Sequence, residues 1–203
     1  VDLGTNPGLE FASNKLQIAK GISQHDVAQF TSGVVDDDFL RVDGTTIEGR
    51  SAAEVLSDIG GLGTNISSTP SNNTVSGLTA TFTAGEALQA GECVYYKASD
   101  SKMHKAVAAA GSVTPPCIAL AAEDLSADAS GKFLLVGFIR NDDDFPTYTA
   151  GDEVYTPEAE TSSQNVPEAT APDSDGDLVQ VLGIAIDGNT LYFNPSLDVI
   201  EHA

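Results

Sequence analysis

The sequence predicts a mainly β protein: a short intertwined β-hairpin stalk with one short helix, then a small β-barrel or sandwich domain. Three observations lead there. Glycine (19), proline (9) and abundant Ser, Thr, Asn and Asp punctuate the 203 residues, a mix that suits short strands joined by tight turns. From Thr79 onward candidate strands recur at about ten-residue spacing or somewhat more, as in sandwiches and barrels. Residues 1–60 carry few large side chains, too few to enclose a core alone, so their apolar edges must meet further copies or the following domain.

The stalk, residues 1–61, is built from two hairpin signals and a helix. Leu9 and Phe11, then Leu16 and Ile18, alternate with polar residues around Ser13-Asn14, period two on either side of a turn. Gln24–Thr31 reads as a weaker extended or single-turn element. Phe39–Val42 reads as a strand, Asp43-Gly44 as a turn and Thr45–Glu48 as the return. Helix 52–59 follows. Ser51 as N-cap and Glu54 three residues on form a capping box, and Gly60 is a left-handed stop. Val55, Leu56 and Ile59 give that helix one apolar face. So short a helix is unstable alone in water, which strengthens the expectation of an intertwined oligomer.

Residues 62–78 (LGTNISSTPSNNTVSGL) read as a linker. The sequons at Asn65 and Asn72 are read as chance matches, because no secretory signal is visible. Residues 79–203 form the β domain, with candidate strands Thr79–Thr83, Glu92–Lys97, Cys117–Ala122, Phe133–Ile139, Glu153–Thr156, Val179–Ile186 and Thr190–Asn194. A weak internal repeat runs through it. Ala90-Gly-Glu-Cys-Val-Tyr95 parallels Ala150-Gly-Asp-Glu-Val-Tyr155, Ile118–Ala121 echoes Ile184–Ile186, and Phe133–Val136 echoes Leu191–Phe193. A duplicated β unit closing into a barrel would produce it; chance likeness among short strands is the competing reading.

Thirty acidic residues against nine basic ones give a net charge of −21. Such a surface repels phosphate backbones and anionic membranes, and no apolar run is long enough for a membrane helix. Neither nucleic acid nor membrane insertion is expected. Cys93 and Cys117 lie in apolar stretches without a CxxC or histidine partner, so two buried thiols are expected rather than a disulfide or metal site.

No catalytic residue, cofactor or metal ligand emerges. His25, His104 and His202 are far apart and lack zinc-site spacing; there is no GxSxG and no phosphate-binding glycine loop. The acidic runs Asp36–Asp38 and Asp142–Asp144 read first as solvated turns, second as Ca²⁺ or Mg²⁺ sites and last as catalytic carboxylates. Asp173-Ser-Asp-Gly-Asp177 begins like a calcium loop, but the strand-like Leu178–Leu182 follows, which favours a plain turn. Lys97, Lys102, His104 and Lys105 form a basic cluster expected to pair with carboxylates of this chain or of neighbouring subunits.

Two stretches carry a resemblance. Asp38-Phe-Leu-Arg-Val-Asp-Gly-Thr-Thr-Ile-Glu-Gly-Arg-Ser-Ala-Ala-Glu-Val-Leu-Ser-Asp-Ile-Gly60 resembles a hairpin-and-helix segment of tailed-phage tail-fibre and related virion proteins. Leu88–Tyr96, Lys132–Arg140, Val181–Ala185 and Leu191-Tyr-Phe-Asn-Pro-Ser196 are similar to a C-terminal β domain on such proteins, with Leu197–His202 as its closing strand. The resemblance implies a non-enzymatic, homotrimeric virion subunit. It would be a tail fibre or fibre tip contacting a host-surface glycan or protein and other virion proteins, on the tail or head surface. A capsid decoration or head-fibre protein is the alternative, and a polysaccharide-degrading tailspike a weaker one. The acidic insert Asn141–Pro146 and the Thr156–Asp177 loop are the least pattern-like, and exposed variable loops are where binding surfaces usually sit.

Overall fold

The computed structural model describes residues 9–12, 15–18, 30, 34–44, 46–59, 66–111, 114, 116–158 and 165–203. The chain divides into two compact units, Val1–Gly63 and Thr64–Ala203. It is mainly β with one helix among the described residues.

In the first unit β1 (Leu9–Ala12) and β2 (Lys15–Ile18) pair antiparallel, Leu9 opposite Ile18 and Phe11 opposite Leu16, as the alternation requires. The expected Ser13-Asn14 turn lies outside the described residues. Of the 24–31 stretch only Phe30 is described, in a parallel bridge to Ile47. β3 (Phe39–Asp43) and β4 (Thr46–Arg50) form the second hairpin. Its return strand begins at Thr46 and runs two residues past the expected end at Glu48, because Gly49 and Arg50 still pair with Leu40 and Phe39.

α1 (Ala52–Asp58) has its capping box in place: the Ser51 hydroxyl accepts from the Glu54 N–H, and the Glu54 carboxylate accepts from the Ser51 N–H at 2.9 Å. Gly60, the expected stop, lies outside the described residues; Ile59 is the C-cap, in right-handed α conformation.

Among its described residues this unit shows no enclosed core. None of its side chains described is buried. Phe39, Leu40 and Val42 are 55%, 59% and 58% exposed, and Ile59 is 73% exposed. Ions hold helix to hairpin instead. Arg50 grips Asp58 with two bonds of 2.8 and 2.9 Å, while Arg41 reaches Glu48 at 2.6 Å and Asp58 at 3.3 Å. Such surface pairs are screened by water and contribute little beside the burial of even one large apolar side chain.

The second unit is a curled antiparallel sheet, half a barrel. In chain order its strands are β5 (Thr74–Thr83), β6 (Cys93–Lys97), β7 (Lys102–Lys105), β8 (Ala119–Ala121), β9 (Ser130–Arg140), β10 (Glu153–Tyr155), β11 (Leu178–Val179), β12 (Val181–Ala185), β13 (Thr190–Phe193) and β14 (Ile200–Glu201). β9 is the spine. One edge pairs with β5 along its whole length; the other is shared between β8, at Phe133–Leu134, and β13, at Gly137–Arg140. From β8 the sheet continues to β6 and β7, and from β13 to β12 and β10, while β11 and β14 form a separate pair.

Several boundaries differ from the sequence pattern, each for a physical reason. Residues 74–78, expected as linker, are the first half of β5, because β9 runs to Arg140 and supplies partners for them. The Val179–Ile186 run is broken at Gln180. That buried side chain bonds Cys117 N and O, Thr156 Oγ1 and Ser196 O at 2.7–2.9 Å, so Leu178–Val179 turns away to pair with Ile200–Glu201. β7 was hidden in a polar Lys-Met-His-Lys run whose Met103 alone is fully enclosed.

Alternation along β6, β8 and β9 puts Cys93, Leu120, Leu134 and Ile139 on one face and Val94, Ala119, Ala121 and Phe133 on the other, each in its own cluster. Val154, Leu182, Leu191 and Phe193 extend the first cluster along β10, β12 and β13. Gly137 stands on the spine where it pairs with both β5 and β13. It sits at φ +143 opposite Gly77, and a Cβ on it would lie 2.5 Å from Ser76 O.

The internal repeat is a repeat of structure. Gln89–Glu92 and Thr149–Asp152 are the same turn, with Gly91 and Gly151 at φ 91 and 92. Each acid accepts the N–H of the turn's first residue, at 2.8 and 3.1 Å. Each glycine N–H donates to an alanine carbonyl on the partner strand, Ala121 or Ala185, and that alanine N–H donates back to the acid's carbonyl. Structure therefore equates Leu120-Ala121 with Ile184-Ala185, two residues from the alignment the side chains suggest, while Phe133 still matches Leu191. A third copy closes on β14: Ser174–Asp177, with Gly176 at φ 87, repeats every bond against His202. Positive φ at the third turn position is why glycine stands there each time.

Candidate functional site

The third turn holds the calcium-loop lookalike. Asp177 is buried and its two oxygens accept from Ala110 N and Ser174 N, which makes it a turn cap. The other acidic runs are similarly engaged. Asp38 accepts from Val35 N. Asp142 pairs two-pronged with Arg140, which holds its carboxyl below the usual range, and Asp143 accepts from the amides of Asn72 and Asn73. Asn72 thus spends its amide on this loop, bonding Asp142 N with its oxygen. Among the described residues no cluster of His, Cys, Asp and Glu has the form of a metal site.

Three residues of the basic cluster pair within the chain. Lys102 bonds Asp128, and Lys105 meets the enclosed Glu92 at 3.1 Å. His104 lies between Glu86 at 3.2 Å and Asp100 at 2.7 Å, and its bond draws the Asp100 carboxyl below its ordinary value. Cys93 and Cys117 are free, fully buried thiols in one cluster; burial first, and then contact with Cys117, pushes the Cys93 thiol well up.

The two irregular loops come together. Between them lies a groove of about 450 Å³, lined by Asp144, Phe145 and Pro146 on one wall and Val166, Glu168, Ala169 and Thr170 on the other. Both walls are braced from beneath. Buried Asn141 ties the first: its Nδ2 donates to Ala90 O and Asp144 Oδ2, and its Oδ1 accepts from the N–H groups of Asp143 and Asp144. Phe145 packs edge-on against Tyr148 at 5.7 Å, and the Tyr148 hydroxyl crosses to donate to Pro167 O at 2.6 Å.

Two further anchors hold the second wall. Asn165 Nδ2 bonds Cys93 O and Ala106 O, and the Glu168 backbone pairs with Tyr155. A groove held this way is largely preformed, as binding sites tend to be.

Its electrostatics are one-sided. Burial raises the Glu168 carboxyl above its ordinary value; a hydrogen bond from the Glu158 backbone opposes that, and the negative charge of Glu158 adds to it. Sequence pattern marked both loops as irregular but singled out neither Phe145 nor Glu168. The available signal was Val166-Pro167, an apolar pair inside an otherwise polar run.

Fold and groove define a mainly β protein with an anionic, apolar-lined cleft in one unit and an uncovered hairpin in the other. No protein-family model matches the chain, and no curated protein matches its sequence.

Proposed function

We propose that this chain is a non-enzymatic structural subunit of a phage virion, a homotrimeric tail fibre or fibre tip. Its first unit assembles with two further copies, and the loops of the second face a host surface. One observation carries the reading: β3 is exposed along its whole length, with Phe39, Leu40 and Val42 in solvent, and α1 buries no residue. Uncovered apolar surface of this kind belongs at an interface. Among the described residues β3 also pairs with β4 alone in its sheet, which leaves its other edge for a further strand.

A second apolar strip supports assembly. On the face of the sheet away from the larger core, Phe138 and Tyr192 stack at 5.1 Å beside Ile184, which is 44% exposed. The likeness of Asp38–Gly60 and Leu88–Ser196 to virion proteins supplies the address, and trimeric linkage would raise avidity for a host surface without new contacts.

Light scattering of the purified chain tests the assembly. The expected mass is three times 20.9 kDa; a stable monomer at micromolar concentration overturns the reading. Gold-labelled antibody on intact particles is expected at the tail, and label over the head would replace the tail-fibre reading with a capsid-decoration one.

A further inference from the structure

We propose that the groove between residues 141–146 and 165–170 binds a lysine or arginine side chain of a partner protein. The aliphatic stem lies along Pro146 and Ala169, beside the largely buried Phe145 and Val166, and the cation faces Glu168 and Asp144. This extends the host-contact reading to a partner chemistry, and the groove lies wholly within the second unit.

The lining selects this ligand. Long cationic side chains bury their methylenes on apolar surface while the charged head seeks oxygen ligands, and both kinds of surface meet here. The charged neighbour acting on Glu168 is a second carboxylate, Glu158, so an incoming cation meets attraction from both. A net charge of −21 draws basic partners towards the protein from a distance.

A neutral glycan fits poorly. A sugar ring needs an accessible aromatic or apolar face together with placed donors and acceptors for its hydroxyls. Here Phe145 is only 7% exposed, and Thr170 carries the one donating side chain among the described lining residues. The braced walls mean that little ordering is needed on binding.

The test is an amide NMR titration of the full chain with acetyl-Gly-Lys-Gly-amide, which for a single side chain should saturate at about millimolar concentration. Shifts at Val166, Ala169 and Thr170 that weaken in ~0.5 M salt are expected. The same peptide with Nε-acetyllysine should leave those signals in place. Glu168→Gln should weaken binding at least about fivefold, and Ala169→Arg, which puts a cation from the chain itself beside the groove, should abolish the response in a folded protein.

Equal binding of the acetylated peptide, an unchanged response in Glu168→Gln, or no shift at these residues overturns the proposal. Tighter binding of glucosamine at the same residues overturns it in favour of an amino-sugar site. Light scattering on the same samples reports assembly separately, so a failed groove and a failed trimer give different results.

Discussion

Glu92 and Lys105 form an ion pair, 3.1 Å apart, in which the carboxylate is wholly enclosed. Glu92 also caps its own turn through Gln89 N and accepts from Asn165 N on the groove's second wall. One carboxylate thus joins a turn, β7 and a binding loop. Removing one member of a buried pair costs about 3–5 kcal/mol, because the remaining charge and donors lose their partner. Glu92→Ala should lower stability by that order in urea titration. Glu92→Gln, which keeps an acceptor oxygen, should lose distinctly less.

The repeated turn offers a controlled comparison. Gly91 and Gly151 have the same positive φ, so alanine at either costs about 1–2 kcal/mol in backbone strain. At Gly151 a Cβ meets nothing within 4 Å, whereas at Gly91 it would lie 2.7 Å from a ring carbon of Phe145. Gly91→Ala should therefore be the more destabilising and should disturb the groove, visible as shifts of the Phe145 and Val166 signals. Gly151→Ala should show the strain cost alone.

Assembly and the fold of the second unit should separate under mutation. Leu40→Asp with Val42→Asp places charge on the exposed strand β3, which belongs to the first unit and to a different sheet from β5–β13. The double variant should run as a monomer in light scattering while the unfolding midpoint of the second unit stays at the value measured for isolated residues 64–203.

Acid sensitivity follows from two carboxylates shifted in opposite directions. Asp100 titrates below its ordinary 3.8 in the fold because His104 bonds it. Its contribution is therefore complete above that value and is lost as pH falls through the lower folded one. Glu168 is the reverse case. Its folded value lies above the ordinary 4.5, so its ionisation weighs against the fold as pH rises through that value. Asp100→Asn should flatten the loss of stability below about pH 4. Glu168→Gln should stabilise the protein modestly at pH 7 and leave it unchanged near pH 3.

Much of the local structure was legible in the residues. The Ser51–Glu54 box, the Asp43-Gly44 turn and the Leu9–Ile18 hairpin rest on neighbours a few positions apart, where side-chain chemistry and backbone preference act directly. The Ala-Gly-acid turns were visible too, as a repeat of letters. Their third copy, Ser174–Asp177, was not, because it shares only glycine and acid with the others.

Sequence by itself determined the class: short strands, an acidic surface and two thiols without a metal motif. Tertiary structure alone decided what depends on pairing between distant strands. It drew residues 74–78 out of the linker and onto β9, broke the Val179–Ile186 run at the buried Gln180, and set Asn141–Pro146 against Val166–Thr170 to make a groove. Those outcomes turn on which backbone groups find partners tens of residues away, and local alternation of side chains holds no record of that choice.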